Sequence, residues 1–199
     1  TNCISCFQEY TLKDKSCKKI ENRCDYCNKT TCDSCDCITG YCQSCKKGFG
    51  FKSKSIGCDI CLYNKQYSIG GKDVCHNCDS SCKICNITNG HCDKCLEGYG
   101  YSENSKKCKQ CQEGLEYSLG GRNQCTKCDS TCNNCHKFTG VCINCRPGFK
   151  KLKNSIKCEK CLEGYYSSDG NNNYCIPCDK SCLTCNNTNG QCLTCEAGK

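Results

Sequence analysis

The chain carries 34 cysteines in 199 residues, so sulfur is its dominant chemistry. Many stand as CxxC pairs, among them Cys58-x2-Cys61, Cys75-x2-Cys78, Cys82-x2-Cys85 and Cys92-x2-Cys95. Such pairs admit three chemistries. Two pairs can gather four thiolates around zinc. One pair beside a βαβ pattern can exchange disulfides as thioredoxin does. In an oxidising compartment the same cysteines form a disulfide framework. Isolated stretches of twelve and thirteen residues separate the pairs here, and no helical pattern flanks them. The residues favour the disulfide reading. Intracellular zinc binding stands as the alternative.

Other reactive side chains are scattered. His76, His91 and His136 share no position in the repeat described below, and the carboxylates lie among lysines. No Ser/His/Asp or Cys/His set recurs, and no glycine loop is shaped to cradle phosphate. The chain is therefore expected not to be an enzyme, with no catalytic residue, no metal ligand and no cofactor. Three sequons read as N-glycosylation sites on exposed loops: Asn28-Lys-Thr, Asn86-Ile-Thr and Asn186-Asn-Thr. Asn86 and Asn186 each directly follow a cysteine at one repeat position, where His136 interrupts the series. Lysines gather as Lys46, Lys47, Lys52 and Lys54, as Lys106 and Lys107, and as Lys150, Lys151, Lys153 and Lys157. A solvated face explains them. Spaced at intervals, they would also form a basic ladder for acidic glycans or anionic lipid heads. Nucleic acid is not expected as a partner.

The elements that position these residues follow a period of fifty. Cys58, Cys61, Cys75, Cys78, Cys82, Cys85, Cys92 and Cys95 recur as Cys108, Cys111, Cys125, Cys128, Cys132, Cys135, Cys142 and Cys145. They recur again as Cys158, Cys161, Cys175, Cys178, Cys182, Cys185, Cys192 and Cys195. Gly40, Gly90, Gly140 and Gly190 keep the frame, as do Gly48, Gly98, Gly148 and Gly198, and such glycines suggest turns at positive φ. Phe49, Tyr99 and Phe149 follow the second set and are expected to stack on disulfides. Gly70-Gly71, Gly120-Gly121 and Asp169-Gly170 are hairpin signals. Cys24, Cys27, Cys32, Cys35, Cys42 and Cys45 keep the pattern with a one-residue slip, while Cys17 and Cys37 have no simple counterpart. The expected organisation is a degenerate repeat over 1–45, repeats over 46–95, 96–145 and 146–195, and the start of another at 196–199.

Composition agrees with cross-linking as the source of order. Cysteine supplies nearly half of the 37% hydrophobic content, with five Phe and no Trp or Met. So few large apolar side chains cannot offset conformational entropy by burial. Closing a loop of about 10–15 residues contributes roughly 3 kcal/mol by restricting the unfolded chain. Net charge is +8, with both signs interspersed. No signal peptide, lipidation motif or long apolar run is present, and the lack of Met suggests an excised piece. A membrane anchor is not in this segment, which says nothing of the whole protein.

The run Cys78-x3-Cys82-x2-Cys85-x6-Cys92-x2-Cys95-x2-Gly98-Tyr99 resembles the furin-like, growth-factor-receptor cysteine-rich repeat, and the resemblance covers residues 24–199. Similar arrays occur in variant surface proteins of protozoa. Spacing alone leaves 105 pairings for eight cysteines. The resemblance implies Cys78–Cys85, Cys82–Cys92, Cys95–Cys108 and Cys111–Cys125. It continues as Cys128–Cys135, Cys132–Cys142, Cys145–Cys158, Cys161–Cys175, Cys178–Cys185 and Cys182–Cys192. Backwards it implies Cys61–Cys75, Cys45–Cys58, Cys32–Cys42, Cys27–Cys35 and Cys6–Cys17. Cys24 and Cys37 are then expected to compensate one another, and Cys3 and Cys195 to find partners outside this stretch.

The expected fold is small and disulfide-rich: an elongated rod of tandem modules with short β-hairpins and little or no helix. The expected function is that of an extracellular or cell-surface structural protein, a glycosylated spacer, coat or filament component. Self-assembly into fibres or a surface coat is a possible partner relation. A ligand-binding receptor ectodomain segment is the second reading and intracellular zinc binding the third.

Overall fold

A chain poor in large apolar residues has little to bury beneath a helix or a broad sheet, but a two-stranded hairpin closed by a cross-link needs no such face. The computed structural model describes residues 10–13, 16–19 and 27–195. Among the described residues there is no helix, and all regular structure is short two-stranded antiparallel pairing between strands consecutive in sequence. The first pair joins Tyr10–Lys13 to Ser16–Lys19. The chain falls into two compact units. One holds residues up to Asp79 together with Cys85–His91; the other holds Ser80–Ile84 and residues from Cys92 onward.

Three kinds of hairpin alternate. The CxxC hairpin pairs Cys32–Cys35 with Cys42–Cys45 in the first unit. In the second it pairs Cys132–Cys135 with Cys142–Cys145, and Cys182–Cys185 with Cys192–Cys195. Residues three apart on a strand face opposite sides, so a CxxC strand sends its two sulfurs apart. Cys132 crosses to Cys142 while Cys135 reaches back to Cys128.

A middle hairpin follows the CxxC hairpins that end at Cys45, Cys95 and Cys145. It pairs Phe49–Gly50 with Asp59–Ile60, Tyr99–Ser102 with Lys107–Gln110, and Phe149–Lys150 with Glu159–Lys160. The third hairpin pairs Gln66–Tyr67 with His76–Asn77, Glu116–Tyr117 with Thr126–Lys127, and Tyr165–Tyr166 with Ile176–Pro177.

The core is sulfur. Cys32, Cys42, Cys45 and Cys58 form one buried cluster, with Phe49 and Phe51 against it. Cys132, Cys142, Cys145 and Cys158 form another, with Phe149 against it. Between them in sequence, Cys92, Cys95 and Tyr101 pack with Tyr99. Among the described residues, Tyr101 is the one buried apolar side chain that is not a cysteine, at 4% exposure.

The glycine pairs are not tight hairpin tips. Gly71 and Cys45 exchange backbone hydrogen bonds of 2.7 and 2.8 Å, and Gly121 and Cys95 do the same at 2.8 and 2.9 Å. The loop therefore folds back onto the preceding CxxC hairpin. Close approach requires glycine there: a Cβ on Gly70, at φ +84°, would lie 2.8 Å from the Cys45 carbonyl oxygen. The third copy also slips by one residue beneath a constant cysteine spacing. Its third hairpin begins at Tyr165, where fifty-residue spacing from Glu116 points to Tyr166.

Candidate functional site

Among the described residues, fourteen disulfides join every cysteine from Cys27 to Cys192 except Cys37. In the first unit they are Cys27–Cys35, Cys32–Cys42, Cys45–Cys58, Cys61–Cys75 and Cys78–Cys85. In the second they are Cys82–Cys92, Cys95–Cys108, Cys111–Cys125, Cys128–Cys135 and Cys132–Cys142. That unit continues with Cys145–Cys158, Cys161–Cys175, Cys178–Cys185 and Cys182–Cys192. Cys37 is disulfide-bonded too. Cys3, Cys6 and Cys24, and the side chain of Cys17, lie outside the described residues, so the expected Cys6–Cys17 and Cys24–Cys37 bridges do as well. Cys195 is an exposed free thiol, its sulfur 3.8 Å from that of Cys192.

Neighbouring disulfides crowd. The sulfurs of Cys32, Cys42 and Cys58 lie within 4.8 Å of one another, as do those of Cys132, Cys142 and Cys158. Oxidised sulfurs are not thiolate ligands, and the triplets are two stacked bridges each. The Cys132 and Cys142 sulfurs also lie 3.4 and 3.3 Å from the Ile156 carbonyl oxygen, a contact in which neither sulfur has a proton to donate. Cys32 and Cys42 both lie 3.4 Å from the Ile56 oxygen in the same way.

A joint recurs that the sequence reading did not single out. Ser68, Ser118 and Ser167 are 0%, 1% and 2% exposed. The Ser68 carbonyl accepts from Gly48 N–H at 2.8 Å, its N–H donates to the Ile87 carbonyl at 3.0 Å, and its hydroxyl accepts from Gly70 N–H at 3.1 Å. Ser118 repeats this with Gly98, Lys137 and Gly120, and Ser167 with Gly148, Asn187 and Gly170. Each serine ties three segments of its unit together. Beside it a tyrosine ring covers the glycine of the next CxxC turn: a Cβ on Gly90, Gly140 or Gly190 would lie 2.6 or 2.7 Å from Tyr67, Tyr117 or Tyr166. The available signal was position. Ser68 and Ser118 are fifty residues apart, but the slip moves the third copy to Ser167.

The sequon asparagines close compact turns. Asn86 Oδ1 accepts from the N–H and hydroxyl of Thr88, at 2.9 and 2.6 Å, and Asn186 from Thr188 at the same two distances. Both are half-buried, and their backbones close the turn with Gly90 and Gly190. His136 holds the same backbone turn with Gly140 and Val141. Asp36 holds it as well, and its carboxyl is kept below the usual range by the N–H groups of Ile38 and Thr39. Asn28 is exposed and belongs elsewhere: with Thr30 it stands at the entrance to a CxxC hairpin. Asp129 with Thr131, and Asp179 with Ser181, occupy the matching entrances.

The histidines are not brought together. His76 pairs with Asp73 at 2.6 Å, His136 sits edge-on to Phe138, and His91 is exposed. Several of the clustered lysines face carboxylates. Lys52 faces Asp59 at 3.9 Å, Lys106 pairs with Glu103 at 2.9 Å and Lys150 with Glu159 at 3.2 Å. Among the described residues no helix is long and apolar enough to cross a membrane. Extensive disulfide bonding fits an extracellular or otherwise oxidising environment. No protein-family model, curated protein or solved structure matches the chain.

Proposed function

We propose that the chain is part of an extracellular structural or surface protein, a non-catalytic, disulfide-stapled array that serves as spacer, coat or filament component and carries N-linked glycans at Asn28, Asn86 and Asn186. The observation that supports this most is the recurrence of one joint. Ser68, Ser118 and Ser167 each bind three equivalent backbone partners. An array whose recurring buried polar contacts fix one segment against the next is suited to holding position rather than to chemistry. The sequon turns support glycan attachment, because each asparagine is held in a local turn by the hydroxyl of its own sequon. Kinship with the furin-like repeat remains part of the proposal and rests on the Cys78–Tyr99 run.

Peptide mapping of natively secreted protein, before and after enzymatic removal of N-glycans, tests the reading. Glycan mass on the peptides of Asn86 and Asn186 is expected. Unmodified asparagine at all three sequons in native material would overturn the surface assignment. Light scattering tests assembly: growth of scattering with concentration is expected for a coat or filament, and monomers at high concentration would contradict it.

A further inference from the structure

We propose that the second unit carries a binding groove for an anionic glycan, with Lys151 and Lys153 as its charged wall. The choice of a glycan rests on the extracellular reading above; the groove itself does not. It spans about 810 Å³, lies open to solvent and is lined by His136, Thr139, Val141, Cys142, Ile143, Lys151, Lys153, Asn154 and Asn173. No carboxylate is among these residues. Among the described residues neither lysine takes part in an ion pair. Asn154, Asn173 and Thr139 add polar groups for hydroxyls, while Val141 and Ile143 offer apolar surface to the C–H face of a sugar ring.

Comparison with the preceding copy shows what opens the groove. Fifty residues earlier, Lys151 and Lys153 become Tyr101 and Glu103, Ile143 becomes Asp93 and His136 becomes the sequon Asn86. The Tyr101 ring is buried there, with Lys106 and Arg122 each 5.9 Å from its centre. Glu103 neutralises Lys106. One hundred residues before Lys151 and Lys153 stand Phe51 and Ser53. The 151–153 segment thus replaces a space-filling ring by a cation, and an acid by a second cation. The neighbouring turn has lost its sequon, so no glycan of its own would cover the site. Two unpaired ammonium groups beside polar and apolar lining match a sulfated or carboxylated sugar unit, which presents an anion, hydroxyls and an apolar face together.

The test uses the intact disulfide-bonded chain and calorimetry at near-physiological salt. Probes are a heparin-derived sulfated oligosaccharide, an oligogalacturonate, a neutral dextran oligosaccharide and a single-stranded DNA of similar charge. The expected result is binding of the sulfated or the carboxylated probe, no binding of dextran, and an affinity about tenfold weaker in Lys151→Tyr/Lys153→Glu, as loss of two charge-assisted contacts implies. Binding of one anionic sugar and not the other identifies the substituent. The control Lys52→Glu, in the first unit, is expected to change affinity less than twofold. No binding of either anionic sugar, equal loss in the Lys52→Glu control, or equal binding of DNA overturns the proposal. Unmodified sequons in native protein would instead overturn the surface reading and leave a bound sugar in the groove as a fact about this chain.

Discussion

The middle hairpins at 99–110 and 149–160 occupy one place in the repeat and do different things with it. The first pairs four residues on each strand, buries Tyr101 and ion-pairs Glu103 with Lys106. The second pairs only two on each strand, puts Lys150 where Gly100 presses on Cys125, and leaves Lys151 and Lys153 beside an open groove. Yet each is closed by an equivalent bridge, Cys95–Cys108 or Cys145–Cys158, and each is followed by the same serine joint. Cross-links and joint hold the frame, so the hairpin between them is free to carry a ring or a charge.

The bridges are expected to carry the largest effect. Replacing Cys95 and Cys108 together by serine, or Cys145 and Cys158, is expected to cost about 3 kcal/mol for a closed loop of this length. Urea denaturation is expected to give similar losses for both pairs. A much larger loss for one would show that the two frames are not equivalent. Next comes the ring. Tyr101→Lys is expected to lose about 2–3 kcal/mol, since a large buried side chain gives way to one that must reach solvent. Lys151→Tyr is expected to be neutral or mildly stabilising in the same assay.

The glycine pair sharpens the role of the joint. Gly120→Ala places a Cβ 2.9 Å from the Cys95 carbonyl oxygen, whereas one on Gly121 meets nothing, and both have positive φ. Gly121→Ala is expected to cost about 1–2 kcal/mol of backbone strain. Gly120→Ala is expected to cost about 1–3 kcal/mol more for the clash, read from denaturation midpoints. Equal losses would mean that the Cys95–Gly121 bridge yields easily.

The smallest effect is electrostatic. Asp129 sits at the entrance to a CxxC hairpin, its carboxyl held below the usual range by the hydroxyl and then the N–H of Thr131. A carboxyl depressed in the folded state stabilises fully above its unfolded value and loses that contribution as pH falls through its folded value. The stability gap between the native chain and Thr131→Val is therefore expected to narrow below about pH 4. A gap independent of pH would show that the hydroxyl acts through the Cys158 N–H, from which it accepts at 2.9 Å, and not through the carboxylate.

Much of the fold was legible because cysteine spacing is a strict count. The fifty-residue period, the lack of helix among the described residues and the short hairpins follow from CxxC pairs set in a polar chain. Pairing was not legible from spacing, which leaves many partners open for eight cysteines; it came from the resemblance at Cys78–Tyr99. The serine joint escaped because serine is common in polar loops, and nothing in its type marks Ser118 as nearly inaccessible. The slip at Ser167 escaped because Cys161 and Cys175 keep their spacing while the chain between them shifts. The groove escaped for a related reason. The lysines of all copies look alike as a cluster, and only the partners of Lys52, Lys106 and Lys150 reveal which charges are already satisfied.

Oxidised sulfur, rather than thiolate-bound metal or apolar burial, holds the described repeats together, since their buried clusters are built of cystines. Intact mass of the native protein after alkylation under denaturing conditions, with and without prior reduction, tests it most directly, with metal assayed in the same sample. Few labels before reduction, labels on all 34 cysteines after it, and no metal released are the expected result. Many free thiols with zinc released on denaturation would show instead that metal-bound thiolates hold the chain.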